Sequence, residues 1–265
     1  MRHNVAMSLR TVTATRYVTP LREGGSLPAV IEADDDGLYV LKFRGAGQGT
    51  KALIAELVAG ELARAAGLPI PEIVFVQLDA ELGRSEPDAE IQRLIRTSAG
   101  INLALDYLPG SVTFDPLVER IGDDLASALV WFDAFITNVD RTARNANLLM
   151  WHRRLWLIDH GAALYFHHNW STWLDSSRKP FPLISNHVLL PFASELEAAD
   201  ARMSAAITPG VVDRIVSLIP EDWLIDDPLF ADAQAQRQAY GEYLTDRLQT
   251  PRLFFEEAVR AHSTR

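Results

Sequence analysis

The sequence predicts an α+β fold of two lobes, a small β-rich amino-terminal lobe over residues 1–108 and a mainly helical carboxy-terminal lobe over residues 109–265. Three observations predict it. Alternating apolar runs fill the first third of the chain, interrupted by one long helical stretch. Beyond Pro109-Gly110 the period changes to that of helices, with Leu125, Leu129, Phe132 and Ile136 at spacings of four, three and four. A short two-stranded ribbon then follows the first of these helices. Strands with one helix, a linker and then helices place a cleft between two unequal parts. A chain of 265 residues that is 48% hydrophobic and 23% charged has ample material for a buried core.

Residues 12–18 alternate as a strand, Gly24-Gly25-Ser26 breaks the pattern, and Ala29-Val30-Ile31 begins a second short run. Asp34-Asp35-Asp36-Gly37 is a turn. After it Leu38, Val40 and Lys42 share one face of a strand and Tyr39, Leu41 and Phe43 the other, so Lys42 ends an apolar row. Gly45, Gly47 and Gly49 form a loop, Thr50 is the expected cap of a helix over 51–66, and Gly67, Pro69 and Pro71 end it. Glu56 lies with Ala52, Gly60 and Ala63 on a face poor in polar residues, where a glutamate that points inward needs a cation.

Two more strands are expected over 72–78 and 101–107; residues 81–96 between them carry no decisive pattern. The helix around Leu125 to Ile136 runs into the Asp140 loop. A ribbon over 148–151 and 155–158, turning at His152-Arg153-Arg154, delivers Asp159. An irregular aromatic segment over 165–191 precedes amphipathic helices around 211–218, 231–248 and 253–261.

Composition excludes several classes. Lys plus Arg number 25 against 35 Asp plus Glu, a net charge of -10 that repels nucleic acid and anionic membranes. The absence of cysteine excludes disulfides, thiolate metal sites and cysteine nucleophiles, and fits a reducing compartment. Residues 1–10 lack the apolar core of a signal peptide, and no run approaches the roughly 20 apolar residues of a membrane helix. The expectation is a cytoplasmic protein.

The chemistry is concentrated in Asn138-Val139-Asp140-Arg141-Thr142-Ala143-Arg144-Asn145 and in Leu157-Ile158-Asp159-His160-Gly161. Phosphoryl transfer to a hydroxyl needs a carboxylate near the nucleophile, a divalent metal on the phosphates and cations along them. Asp140 suits the first role; Asn145 and Asp159 offer the hard oxygens magnesium prefers. Asp140 and Asp159 about 4 Å apart, at an effective dielectric near 20, repel by roughly 4 kcal/mol and so favour a cation beside them. Lys42 paired with Glu56 aims an ammonium at ATP phosphates, and Gly24-Gly25-Ser26 offers backbone amides to the same group.

Each feature also has a plain structural reading. An Asp five residues before an Asn is often a capped loop, a strand-end lysine is often solvated, and a double glycine is often only a turn. Asn147 is read as a loop residue bonding its own backbone. Arg141 and Arg144 are cations for phosphate or for solvent. His167-His168 lacks a third ligand and is read as surface loop. Trp151, Trp156, Trp170 and Trp173 are read as core or a peptide-facing loop, because no basic residues interleave them.

These residues resemble the HipA-like kinase family, within the superfamily that includes protein kinases and phosphatidylinositol 3- and 4-kinases. The resemblance spans roughly 13–184 and keeps the family order: Gly24-Gly25-Ser26, Lys42, the helix Ala55-Glu56-Leu57 ending in Gly67-Leu68-Pro69-Ile70-Pro71, the Asp140 to Asn145 loop, and Asp159. It implies a protein-kinase-like fold, Lys42 as the phosphate-binding lysine, Glu56 as its partner, Asp140 as the catalytic aspartate, and Asn145 and Asp159 as magnesium ligands. Leu105-Asp106-Tyr107 resembles the linker whose backbone binds adenine. Two positions depart: Thr142 stands where the family commonly has histidine, and His160 where protein kinases have the phenylalanine of Asp-Phe-Gly. The chain is also short for the extra amino-terminal domain of full-length HipA toxins.

The leading expectation is an ATP- and Mg2+-dependent kinase of a Ser or Thr hydroxyl on a protein, its own chain included. The alternatives are a kinase of a small molecule, lipid or peptide acceptor, and a catalytically silent module that binds a nucleotide or partner. Transfer of an adenylyl group is a further possibility on the same residues.

Overall fold

A computed structural model describes residues 9–21, 27–224 and 227–264; the Gly24-Gly25-Ser26 turn lies outside them. The fold is mixed α/β, with a sheet-rich amino-terminal region and a helical carboxy-terminal part. Strands β1 (Thr11–Pro20), β2 (Ala29–Ala33) and β3 (Leu38–Lys42) come first, then α1 (Thr50–Ala65) and β4 (Ile73–Leu78). The segment without a decisive pattern holds a 3-10 turn and α2 (Ala89–Thr97), which the Asp88 side chain caps at Glu90 N. Then come β5 (Gly100–Asp106), β6 (Val112–Thr113) and α3 (Asp123–Phe135). The ribbon is β7 (Leu148–Trp151) and β8 (Arg154–Leu157), and the helices after it are α4 (Trp173–Ser177), α5 (Leu196–Ala206), α6 (Pro209–Val216), α7 (Ala233–Leu248) and α8 (Leu253–Ser263). Among the described residues no helix is long and apolar enough to cross a membrane.

The five long strands close into a barrel in the order β1-β2-β3-β5-β4, antiparallel except where β1 meets β4. Alternation works as expected on β3: Tyr39 and Leu41 are buried in the barrel, while Val40 and Lys42 face the other way and line a cleft. The cap of α1 differs from expectation. Gly49, at φ 67, is the N-cap and gives no side-chain hydrogen bond; Thr50 is the first helical residue. That φ is the left-handed region which glycine enters without steric cost.

Helix α1 is buried from Leu53 to Ala63 and belongs to the larger of two apolar cores, together with Ile73, Leu103 and Leu105 and the helices that follow β5. This core therefore crosses residue 108. Gly60 lets this core close on α1: a Cβ there meets Ile73 Cδ1 at 2.3 Å and would have to displace that side-chain end. Trp131 anchors the helical part. It is fully buried, stacks on Phe135 at 5.4 Å, meets Phe254 edge-on at 5.2 Å and donates Nε1–H to Asp200 at 2.7 Å. Asp200 is held in turn by Arg252. A last tie runs back to the barrel, where Trp223 donates Nε1–H to Ile101 O at 2.9 Å and packs edge-on against Phe75.

Trp131→Ala removes a buried indole at the junction of α3, α5 and α8 and is expected to cost about 3–5 kcal/mol. Urea unfolding followed by tryptophan fluorescence and far-UV dichroism measures it; a loss below about 1 kcal/mol contradicts the placement of Trp131 at the centre of this core.

Candidate active site

Lys42, at the end of β3, is nearly buried. Its Nζ donates to Glu56 Oε2 at 2.5 Å and to Asp159 Oδ1 at 2.6 Å. Three elements thus meet at one ammonium: β3, the inward face of α1, and the loop after β8. Glu56 is fully buried and accepts a second hydrogen bond, from the His160 backbone N–H at 2.8 Å. Burial pushes its carboxyl pKa up, but the Lys42 charge and the His160 hydrogen bond outweigh that and hold it down at about 2. Burial likewise lowers the Lys42 pKa, and the charges of Glu56 and Asp159 override it, so the ammonium is held well above its ordinary range. The inward glutamate expected from the sequence is therefore the anchor of Lys42.

The Asp140 loop is built from its other side. Asn145 donates Nδ2–H to Asp140 Oδ2 at 2.8 Å, so the two loop residues five apart do converge. That bond leaves Asn145 Oδ1 uncommitted among the described residues. Asn147 Nδ2 reaches the backbone oxygen of Asp140 at 3.4 Å and its carboxylate at 3.5 Å. Asn147 and Asp159, at the two ends of the ribbon, have φ of 49 and 56. Asn and Asp tolerate this left-handed region better than most side chains, which accounts for their types there. Asp159 and Asp140 each have a partner of their own, Lys42 and Asn145, so repulsion between them does not by itself demand a cation.

Beneath the loop lies a network the sequence did not disclose. Asp133 of α3 is fully buried and accepts from Arg141 Nε at 2.5 Å, His187 Nε2 at 2.8 Å and Asn138 Nδ2 at 3.0 Å. His187 Nδ1 accepts the Leu189 N–H at 3.1 Å, so the ring hydrogen sits on Nε2 and points to Asp133. Burial pushes the Asp133 carboxyl up; Arg141 and His187 overcome it and hold it well below the usual carboxylate range. Arg141 also donates to Asn147 O at 2.5 Å, clamping the strand that leaves the loop. Thr142, at the position where the family commonly has histidine, pairs by a β-bridge with His187.

A cleft of 910 Å³ brings part of this set together; Asp140, Glu56 and Asp133 are not among its lining residues. Val40, Lys42, Leu105, Asp106, Tyr107, Asn145 and Asp159 are among its lining residues. Of the expected linker, the N–H groups of Asp106 and Tyr107 are already committed, to Glu72 O at 2.8 Å and Leu38 O at 3.0 Å. Leu108, buried at the cleft wall, keeps an N–H without a partner among the described residues. The other polar candidates sort by burial. His167 is buried against Tyr240 at 3.1 Å, contrary to the surface reading, while His168 is exposed. Trp170 packs among Phe166, Phe230 and Tyr240. Among the described residues no three His, Cys, Asp or Glu gather as a metal cluster. His160 is fully buried edge-on to Phe132, with Nδ1 3.5 Å from Glu56 Oε1.

Two outcomes follow. Arg141→Met strands the buried Asp133 charge and is expected to cost about 3–5 kcal/mol in urea unfolding, with the Asp133→Asn, Arg141→Met pair recovering part of it; additive losses contradict the coupling. The Glu56 carboxyl is depressed on folding from 4.5 to about 2, so its stabilisation is complete above pH 4.5 and is lost as pH falls from there toward 2. Glu56→Gln therefore flattens the stability profile in that window, and an unchanged slope in acid titration of unfolding rules out this role.

The profile of the HipA-like kinase family matches residues 15–254. No curated protein sequence matches the chain. Among solved structures, the chain is similar to the Helicobacter pylori proinflammatory kinase CtkA, with a TM-score of 0.55 at 12% identity over 97% of this chain and 99% of that one. It is also similar to the Golgi casein kinase, with a TM-score of 0.51 at 13% identity over 99% of this chain and 75% of that one. A second structure of the Golgi casein kinase, with Mn/ADP bound, gives a TM-score of 0.52 at 12% identity over 99% and 76%. At such identity the likeness is one of fold. With a match over nearly its whole length, the chain belongs to the HipA-like kinase family and is a kinase, a phosphotransferase.

Proposed function

We propose that the chain transfers the γ-phosphoryl group of ATP, with Mg2+, to a Ser or Thr hydroxyl on a protein, its own chain included. The observation that carries the reading is the meeting of Lys42, Glu56 and Asp159 at the same cleft as Asn145, which holds Asp140. Lys42 holds phosphate oxygens; Glu56 keeps the ammonium in place and charged. Leu105, Asp106, Tyr107 and Leu108 line the adenine end, with the Leu108 N–H as the available donor. Asp140 accepts the proton of the acceptor hydroxyl as its oxygen bonds to the γ-phosphorus. The bond from that phosphorus to the bridging oxygen breaks, and ADP leaves with the electron pair.

The donor set fits a hard divalent ion: Asn145 Oδ1 and Asp159 Oδ2 take no hydrogen bond among the described residues, and phosphate oxygens and water complete a magnesium shell. Such an ion supplies neutralisation of phosphate charge. The Mn/ADP bound to the Golgi casein kinase supports nucleotide and metal use here. In this reading the cleft divides lobes over 1–108 and 109–265. The absence of cysteine supports work in the cytoplasm.

A protein acceptor is favoured over a small one by the aromatic segment. Phe166 and Trp170 are consumed by the core, none of residues 165–173 lines the cleft, and Tyr165, Leu174 and Leu183 stay exposed beyond it. Residues 165–173 thus lie outside the lining of that cleft. Incubation with γ-labelled ATP tests the reading. Asp140→Asn is expected to lower the rate roughly 10²- to 10⁴-fold, and Asp159→Asn to raise the magnesium needed. Equal labelling by parent and both variants overturns these roles, and product mass tells phosphoryl from adenylyl transfer.

A further inference from the structure

The two arginines of the catalytic loop have opposite fates. Arg141 is buried on Asp133 and the ribbon backbone. Arg144 is exposed, lines the cleft directly beside Asn145, and makes no hydrogen bond or ion pair among the described residues. The other cation of the cleft wall, Lys42, is already bonded to two carboxylates, whereas the wall also presents Asp106 and Asp159. Arg144 is thus, among the described residues, a cation of the cleft wall without a hydrogen bond or ion pair.

Its setting in the chain is also distinctive. Between Asp140 and Asp159 there is no Asp or Glu, but Arg141, Arg144, Arg153 and Arg154, in a protein of net charge -10. The whole-protein field repels an anionic acceptor, so an acceptor with acidic groups needs a local cation at the point of transfer. A guanidinium offers a planar fork that pairs with two oxygens of a carboxylate or phosphate.

Resting on the kinase reading above, we infer that Arg144 selects the acceptor: the phosphorylated segment is an acidic peptide, carrying a carboxylate or phosphate close to its hydroxyl, and Arg144 binds that group. The nucleotide side is already served. In that reading Lys42 stands at the phosphates, and Asn145 and Asp159 offer the metal oxygens. Arg144, exposed at the neighbouring position, is open to the incoming chain.

The test uses serine-centred peptide pools whose flanking positions are fixed as Glu, phosphoserine, Ala or Lys, with the full chain and γ-labelled ATP. The parent is expected to use the Glu or phosphoserine pool at least about 10-fold better in kcat/KM than the Lys pool, and the preferred anionic pool tells carboxylate from phosphate. Arg144→Glu reverses the order, and Arg144→Lys keeps it in weakened form. An order unchanged by Arg144→Glu overturns the inference, as does a rise in KM for ATP with the order intact, which assigns Arg144 to the nucleotide. Self-labelling that depends on Asp140 without labelling of any pool also overturns it while leaving phosphoryl transfer standing. Absence of any Asp140-dependent labelling instead removes the kinase reading on which it rests.

Discussion

The ammonium of Lys42 is the point on which the site depends. It joins the end of β3, the buried face of α1 and the loop after β8 through two charge-assisted hydrogen bonds, to Glu56 and Asp159. A carboxylate as deeply buried as Glu56 persists in ionised form only because the cation and the His160 N–H are both there. The pair fixes geometry more than it adds net stability, since desolvation of both charges offsets much of their attraction. Its consequence is positional: the strand that forms the cleft wall and the loop that carries Asp159 cannot drift apart without exposing or stranding a charge.

A second buried charge does the same for the opposite wall. Asp133 gathers Arg141, His187 and Asn138, and Arg141 reaches on to the backbone that leaves the loop. Asp140 is therefore carried on a loop tied to α3 and to the 187–188 segment, with the Arg141 carbonyl also accepting from Val188 N. The cleft is lined by Val40 and Lys42 of β3, by Leu105 and Asp106 of β5, and by Asn145 and Asp159. Glu56, Asp133 and Arg141 hold the frame, while Asn145 and Arg144 line the cleft.

Much of this was legible in the residues. Strand alternation put Lys42 on the face opposite Leu41, and the small residues of α1 implied that Glu56 turns inward, because side-chain period and the cost of a lone buried acid are local rules. The ribbon and Asp159 followed from two apolar runs around a short turn. Asp133 and His187 were not legible, since each looks like an isolated polar residue until 54 positions of chain are folded back to bring them together. His167 reads as loop surface, but tertiary packing against Tyr240 buries it. Helix α2, β6 and α5 escaped notice for a different reason: α2 is short and mostly polar, β6 is a two-residue edge, and α5 is rich in alanine without a clear apolar stripe. Turn chemistry also misled at Thr50, where glycine geometry at Gly49 starts the helix.

In the reading proposed above, Lys42, Asp140, Asn145 and Asp159 surround one nucleotide triphosphate. A crystal structure with a non-hydrolysable ATP analogue and magnesium tests it most directly. Phosphate oxygens are expected within hydrogen-bond distance of Lys42 Nζ, the metal on Asn145 and Asp159, and the Asp140 carboxylate facing the terminal phosphate. A nucleotide seated elsewhere, or a metal held by other side chains with Asp140 turned away, contradicts it.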